Sequence, residues 1–254
     1  MDAVNYTDIN SKTIDQWAEN GWEWSIPITH EEYVKAVNGE WNVLLTPTKF
    51  VPKDWFPDMK DKKLLGLACG GGQQMPVFSA LGACCTVLDY SEKMLANEKM
   101  VAEREKYEIE IVKADMTKKL PFPDNTFDII FHPVSNCYID NVYHVWNECF
   151  RILKSGGFLL AGMDNGLNFL FDDTEKLPLT VTNKLPYNPL KDKELFKRLE
   201  ENNEGIQFSH SLEEQIGGQL KAGFILKDLY EDYDNTGVLK DYIPSFLATL
   251  AIKP

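Results

Sequence analysis

The chain has 254 residues, 44% of them hydrophobic and 26% charged, with 39 acidic against 26 basic residues for a formal net charge of −13. That composition fits one large globular domain, or a domain with a cap, and excludes a disordered or fibrous chain. The acidic field repels phosphate backbones, so no nucleic-acid partner is expected. No apolar run approaches the roughly 20 residues of a membrane span, and five cysteines without CxxC spacing give neither a disulfide framework nor a structural zinc site.

The opening residues carry no basic region followed by an apolar stretch, which leads to the expectation of a cytoplasmic protein. Residues 1–60 hold five of the six tryptophans, Trp17, Trp22, Trp24, Trp41 and Trp55, with prolines breaking up the segment. Thr13-Ile-Asp-Gln16 and Thr29-His-Glu-Glu32 both fit a capping box, a hydroxyl followed three residues later by Gln or Glu, and predict two helix starts. No strand alternation is visible there, so residues 1–60 read as a helical cap.

A βα rhythm begins at Lys63 and defines a core over 61–254. Leu64–Ala68 reads as a buried strand and Gln73–Leu81 as a helix stopped by Gly82. Cys84–Leu88 is the second strand, and Ser91 caps a helix to about Arg104. Glu108–Ala114 is a third strand, placed near a sheet edge by its alternation with charges. Phe127–Phe131, a helix over Asn141–Leu153, and a strand over Gly157–Met163 after Lys-Ser-Gly-Gly continue the pattern. Residues 164–208, rich in Asn, Asp and Pro, interrupt it with one charged helix at Lys191–Glu201, an insertion placed to cover the site. Ser211-Leu-Glu-Glu214 opens a helix to Ala222, and strands at Phe224–Tyr230 and Phe246–Lys253 close the chain. Alternating strands and helices mean a mostly parallel sheet with helices on both faces.

In such a sheet ligands bind beyond the carboxyl ends of the strands. The first strand ends in Ala68-Cys-Gly-Gly-Gly72, which reads either as a tight βα turn or as backbone left bare for a ligand. Asp89 closes the second strand seventeen residues beyond Gly72, where a carboxylate accepts hydrogen bonds from ribose hydroxyls. Asp115 ends the third strand and can reach an adenine amino group, with Met116 as a soft contact to the ring. The dinucleotide fingerprint G-x-G-x-x-G fails, because its third glycine falls on Met75. A nicotinamide oxidoreductase is therefore disfavoured, and an adenosine ligand without phosphate suits the acidic surroundings better.

These segments carry a resemblance. Leu64–Gly72, Leu88-Asp-Tyr-Ser-Glu-Lys-Met-Leu95, Ala114-Asp-Met116 and Leu120-Pro-Phe-Pro-Asp-Asn-Thr-Phe-Asp-Ile-Ile130 resemble the class I S-adenosylmethionine-dependent methyltransferases. So does Glu148-Cys-Phe-Arg-Ile-Leu-Lys-Ser-Gly-Gly157. The nearest resemblance is to the small-molecule branch with the ubiquinone and menaquinone biosynthesis enzymes, over roughly Leu64 to Met163. It implies an α/β, Rossmann-like seven-stranded, mostly parallel sheet with an antiparallel last strand, and S-adenosyl-L-methionine as cofactor. It also implies that Ala68 and Gly70 contact the methionyl part through their backbone, with Cys69 and Gln74 among the cofactor-binding residues. Asp89 would then hold the ribose, Tyr90 and Met94 lie against sugar or adenine, and Asp115 and Met116 hold the adenine. His132 would lie beside the sulfonium. The chain departs from the family at Gly66, usually acidic, and at Ala68, usually glycine.

Methyl transfer is an in-line displacement at a carbon already activated by positive sulfur, so alignment and exclusion of water are the main demands. A proton acceptor is needed only for a nucleophile with a proton to lose; His132 and Tyr138 are the candidates in His132-Pro-Val-Ser-Asn-Cys-Tyr138. Trp41, between a capped helix and the connector into the first strand, is expected to line the cofactor or acceptor pocket. The function expected is methyl transfer to a small-molecule acceptor without membrane or nucleic-acid partners. The alternative is a non-catalytic S-adenosylmethionine sensor or scaffold, because no dedicated catalytic motif is visible.

Overall fold

The computed structural model describes residues 5–254, so the first four residues of the expected cap lie outside the described residues. The strands are β1 (Lys63–Leu67), β2 (Cys84–Asp89), β3 (Ile109–Lys113), β4 (Phe127–His132), β5 (Leu153–Asp164), β6 (Ile225–Asp232) and β7 (Phe246–Ile252). They form one sheet in the order β3-β2-β1-β4-β5-β7-β6, in which β7 runs antiparallel to both neighbours and the other pairs are parallel. Strand order reverses between β1 and β4. The crevice beyond the carboxyl ends at that point is where open α/β sheets take ligands.

The helices are α1 (Tyr6–Glu19), α2 (His30–Val37), α3 (Met75–Ala80), α4 (Glu92–Glu105), α5 (Val142–Ile152), α6 (Lys193–Glu201) and α7 (Leu212–Ala222). No described helix is long and apolar enough to cross a membrane. Local chemistry sets most of their starts. Thr29 and Ser211 form complete capping boxes with Glu32 and Glu214, and the Ser91 hydroxyl accepts the Met94 N–H at 3.1 Å. One sheet face packs a core around Phe78, Phe131 and Trp55; the other packs around Trp146.

Several expected boundaries move, these three among them. Thr13 caps nothing: it lies inside α1, which begins at Tyr6, and its hydroxyl donates to Asn203 Oδ1 at 2.8 Å in the insertion. β5 starts at Leu153 rather than Gly157, running straight out of α5 with an irregular register against β4. α6 starts at Lys193, because Asp192 accepts the N–H groups of Glu194 and Leu195.

The N-terminal segment is stitched to the sheet where the strands end. The Asp232 carboxylate accepts the backbone N–H of Thr48 at 2.8 Å and of Lys49 at 2.9 Å, together with the Thr48 hydroxyl. Trp55 Nε1–H donates to Asp228 Oδ2 at 3.0 Å. Just before these anchors Leu45 crosses β5 at Gly162, so closely that a Cβ on Gly162 would lie 1.9 Å from the Leu45 carbonyl oxygen. Only glycine admits that crossing.

Candidate active site

The site begins at the turn after β1. Ala68 takes a left-handed φ of +47°, a conformation that costs a residue with a Cβ roughly 1–2 kcal/mol. A Cβ on Gly70 would stand 2.8 Å from Met94 Cβ and 3.0 Å from Asp89 Oδ2, so this glycine lets α4 and the end of β2 close on the turn. Three backbone N–H groups of the turn are spent within the protein. Gly70 donates to Asp89 Oδ2 at 3.0 Å, Gly71 to the Met94 carbonyl at 2.9 Å, and Gly72 to Glu98 Oε2 at 2.9 Å. Burial pushes the Glu98 carboxyl up to about 7. The departure at Gly66 has a packing cause: a Cβ there would meet Met75 Sδ at 2.6 Å. The buried Met75 thioether fills the space a larger side chain would need.

Asp89 and Asp115 stand at the ends of β2 and β3. Asp89 Oδ1 accepts the Ser91 N–H at 3.0 Å, and burial holds its carboxyl above the ordinary value against the N–H groups of Ser91, Gly70 and Tyr90. Asp115 accepts the Thr117 N–H at 2.8 Å and the Thr7 hydroxyl at 2.9 Å. The Thr7 bond brings α1 across the cleft. Ser11 of the same helix donates to the Tyr90 carbonyl at 2.8 Å, and Asn10 Nδ2 donates to the Ile206 carbonyl at 2.9 Å. One helix thus spans from the β2–β3 strand ends to the insertion.

A cavity of about 720 Å³ runs under α1, from Asp89 and Asp115 to Asp164 at the end of β5 and on to the insertion. That volume is in the usual range of ligand sites. Its far half is walled by Thr46, Tyr138, Phe169, Tyr187 and Phe246 among others. Asp164 is 3% exposed; its Oδ1 accepts the Gly166 N–H at 2.9 Å, while Oδ2 is buried without a partner. Desolvation pushes its carboxyl up to about 6. The Tyr138 hydroxyl is held well above its usual range by burial, then by Cys137 and Asp164, and so stays protonated.

Residues 65–161 match the family model described as a methyltransferase domain. The chain is 45% identical over 248 residues to "Uncharacterized methyltransferase YbaJ" of Bacillus subtilis, covering 96% of this chain and 97% of that protein. The chain belongs to the methyltransferase family. It is also 33% identical over 112 residues to a ubiquinone/menaquinone biosynthesis C-methyltransferase of Cereibacter sphaeroides, covering 42% of this chain and 44% of that one. A crystal structure of an S-adenosylmethionine-dependent methyltransferase from Mesorhizobium loti superposes with a TM-score of 0.60 at 17% identity, over 79% of this chain and 94% of that one. A similar structure from Listeria monocytogenes gives 0.60 at 19%, over 80% and 95%. This methyltransferase is an enzyme that uses S-adenosylmethionine, with the Rossmann-like sheet of its family.

The methyltransferase's near half suits that cofactor chemically. Carboxylates at two strand ends face a cavity that, among the described residues, has no basic side chain on that half, an environment that favours a sulfonium and an ammonium over a phosphate. Ala68, Cys69, Gly70, Gln74, Asp89, Tyr90, Met94, Asp115 and Met116 all line it, and Tyr138 lines the junction with the far half. Two expected site residues lie elsewhere. His132 is fully buried behind the cavity wall: Nδ1 is 2.9 Å from the Leu67 carbonyl, Nε2 is 2.9 Å from Asn136 Oδ1, and the ring meets Trp146 edge-on. Burial lowers its basicity, and no ring nitrogen is left for a substrate. Trp41 packs on Phe56 at 5.3 Å between ring centres, under Lys53 Nζ. Trp22 and Trp24 line the cavity instead. Sequence reasoning missed Asp164 and Glu98. Asp164 had a signal in its place at the end of a core strand; Glu98 sits mid-helix and had none.

Proposed function

We propose that the enzyme transfers the methyl group of S-adenosylmethionine to a small-molecule acceptor held between the N-terminal cap, residues 1–60, and the insertion, residues 164–208, over a core of 61–254. One observation carries the reading: the cavity is continuous from the Gly70–Asp89–Asp115 strand ends to Asp164 and the insertion. That continuity supports a cofactor and an acceptor lying end to end across the switch point between β1 and β4. Bound S-adenosylmethionine supplies an electrophilic methyl carbon on positive sulfur. The residues of the near half bind and orient: Asp89 accepts the ribose hydroxyls with its remaining lone pairs, Asp115 and Met116 hold the adenine, Tyr90 and Met94 flank the sugar. Ala68, Cys69, Gly70 and Gln74 surround the methionyl part. Gln74, buried with its Oε1 3.6 Å from Cys69 Sγ, adds a polar side chain to that part of the site. Tyr138, a neutral hydroxyl at the junction, positions the acceptor by hydrogen bonding. Burial keeps that hydroxyl protonated, which supports a binding role over that of a resident phenolate base.

Membership of an enzyme family over almost the full chain leaves the non-catalytic sensor reading without support. The acceptors named for partial relatives, such as "Sterol 24-C-methyltransferase ERG6B" of Gibberella zeae at 32% identity over 37% of this chain, are not carried over on so short a match. Calorimetry with S-adenosylhomocysteine and with NAD tests the reading. Binding of the first, absence of binding of the second, and transfer of labelled methyl to a metabolite fraction are expected. No heat with S-adenosylhomocysteine at millimolar concentration would overturn it.

A further inference from the structure

The far half of the cavity holds an imbalance that packing does not account for. Asp164 Oδ2 and Asn168 Oδ1 are both buried hydrogen-bond acceptors without a donor, and both residues line the same chamber. Native proteins rarely leave such atoms unpaired, and a carboxylate oxygen stripped of water is the more costly of the two. Among the described residues no cationic side chain forms an ion pair with Asp164. The Asn168 amide nitrogen faces Asp234 Oδ2 at 3.4 Å, which leaves its oxygen for a ligand. A single ligand that satisfies both oxygens brings at least two hydrogens to donate. An alcohol has one to give, a carboxylate none, and an amine two or three.

Charge and shape agree with that count. Among the described residues the acids lining this half include Asp164, Asp172, Glu204 and Asp234, and the one basic lining residue is Arg198 at the exposed rim. Phe169 and Tyr187 stack with ring centres 5.5 Å apart, and both line the cavity. Carboxylates beside aromatic faces are the recognition chemistry of a nitrogen cation with an apolar body. Asp164 stands on β5, beyond β4 and so across the switch point from the strand ends assigned to the cofactor.

Resting on the reading of the site as a methyltransferase, we propose that Asp164 is the acceptor-binding carboxylate. Its Oδ2 holds the nitrogen of an amine acceptor, and the amine carries an aromatic or aliphatic body seated against Phe169 and Tyr187. In the step this serves, the bound ammonium first gives one proton to Asp164 Oδ2, which passes it to water. The freed lone pair then forms the N–C bond as the C–S bond breaks, and that bond's electron pair stays on sulfur as a neutral thioether. The product is an N-methylammonium, which leaves with its positive charge on nitrogen.

The test separates binding from turnover. The wild-type enzyme saturated with S-adenosylhomocysteine is titrated in a calorimeter with 2-phenylethylamine and tryptamine, and with 2-phenylethanol and 3-phenylpropanoate as the matched alcohol and acid. The titrations are repeated on Asp164→Asn, an isosteric neutral change that keeps the acceptor for Gly166. Amines should bind at least tenfold more tightly than the alcohol and acid, and the variant should lose that preference while its Kd for S-adenosylhomocysteine stays within twofold. Labelled-methyl assays on the same amines should yield N-methyl products with wild type, reduced at least a hundredfold in kcat/KM by the variant. Failure of both amines to bind, tighter binding of the alcohol or acid, or an amine affinity unchanged in Asp164→Asn overturns the proposal. If S-adenosylhomocysteine itself does not bind, the methyltransferase reading of the site fails instead.

Discussion

Gly162→Ala is the sharpest probe of how the cap is held over the site. The added Cβ would lie 1.9 Å from the Leu45 carbonyl oxygen and 2.7 Å from its carbonyl carbon, where an ordinary C···O contact needs about 3.3 Å. Backbone is on both sides, so no side-chain rotation relieves the clash, and the Leu45 crossing must lift by more than an ångström. The Leu45 carbonyl also accepts the Val134 N–H at 3.3 Å, a bond worth about 1 kcal/mol that the shift would break. Overpacking adds about 1–3 kcal/mol, for an expected loss of about 2–4 kcal/mol. In a chain this long that lowers Tm by roughly 4–15 °C. Leu44, Leu45, Thr46 and Pro47 line the cavity, so kcat/KM toward the acceptor should fall, while the Kd for S-adenosylhomocysteine changes less than threefold. Gly217→Ala is the control: it lies in α7 with no atom nearer than 3.6 Å to the added Cβ, and should gain about 0.5–1 kcal/mol. Thermal and urea unfolding of both variants decide the matter. A Gly162→Ala protein within 0.5 kcal/mol of wild type would refute the claim that this crossing is fixed.

Asp89→Ala should weaken S-adenosylhomocysteine binding about ten- to a hundredfold in calorimetry, the worth of a hydrogen bond to a charged group. It should also cost about 2 kcal/mol in stability, because the Gly70 and Ser91 N–H groups lose their acceptor; an unchanged Kd would reduce Asp89 to a turn residue. Burial pushes the Asp164 carboxyl up to about 6, above the ordinary value of 3.8. The fold therefore favours its protonated form, and its contribution to stability falls as pH rises through about 4 to 6 and is level above that window. Asp164→Asn should remove that slope and be more stable than wild type above pH 6 by up to about 3 kcal/mol, with the two proteins converging near pH 4; a constant difference across pH 4–8 would contradict the buried unpaired carboxylate. In hydrogen exchange, S-adenosylhomocysteine should protect the glycine turn and also α1, which hangs on Asp115 through Thr7 and on Tyr90 through Ser11, but should leave the Trp41 region unchanged. Protection at Trp41 without protection of α1 would reverse the placement of the two.

What could be read in the sequence was what is decided within a few residues. Thr29, Ser91 and Ser211 start helices because their hydroxyls bond N–H groups three positions on, and the buried runs of β1 and β2 declare themselves as strands. Thr13 carries the same local signal and is misleading. The helix around it starts a full two turns earlier, held by Tyr6 on Asp140, Thr7 on Asp115 and Asn10 on Ile206, partners more than a hundred residues away. The tryptophans fail for the same reason. Nothing near Trp41 distinguishes it from Trp22 or Trp24; the chain's path does. Leu45 must pass over Gly162 and Asp232 must hold Thr48, so the chain just before that crossing lies over the Phe56–Phe78 core. The segment holding Trp22 and Trp24 is tied instead to the glycine turn and α4, by Gln73 to the Glu23 and Ile26 carbonyls and by Asn97 to Ser25. A side chain's place at the site is thus fixed by a glycine in one strand and a carboxylate in another. Asp164 shows the converse: its position at the end of β5 was visible in the pattern, but its lack of a partner depends on where 137, 166 and 168 come to rest. That unpaired oxygen exists only once the strand and the segments packed over its end have come together.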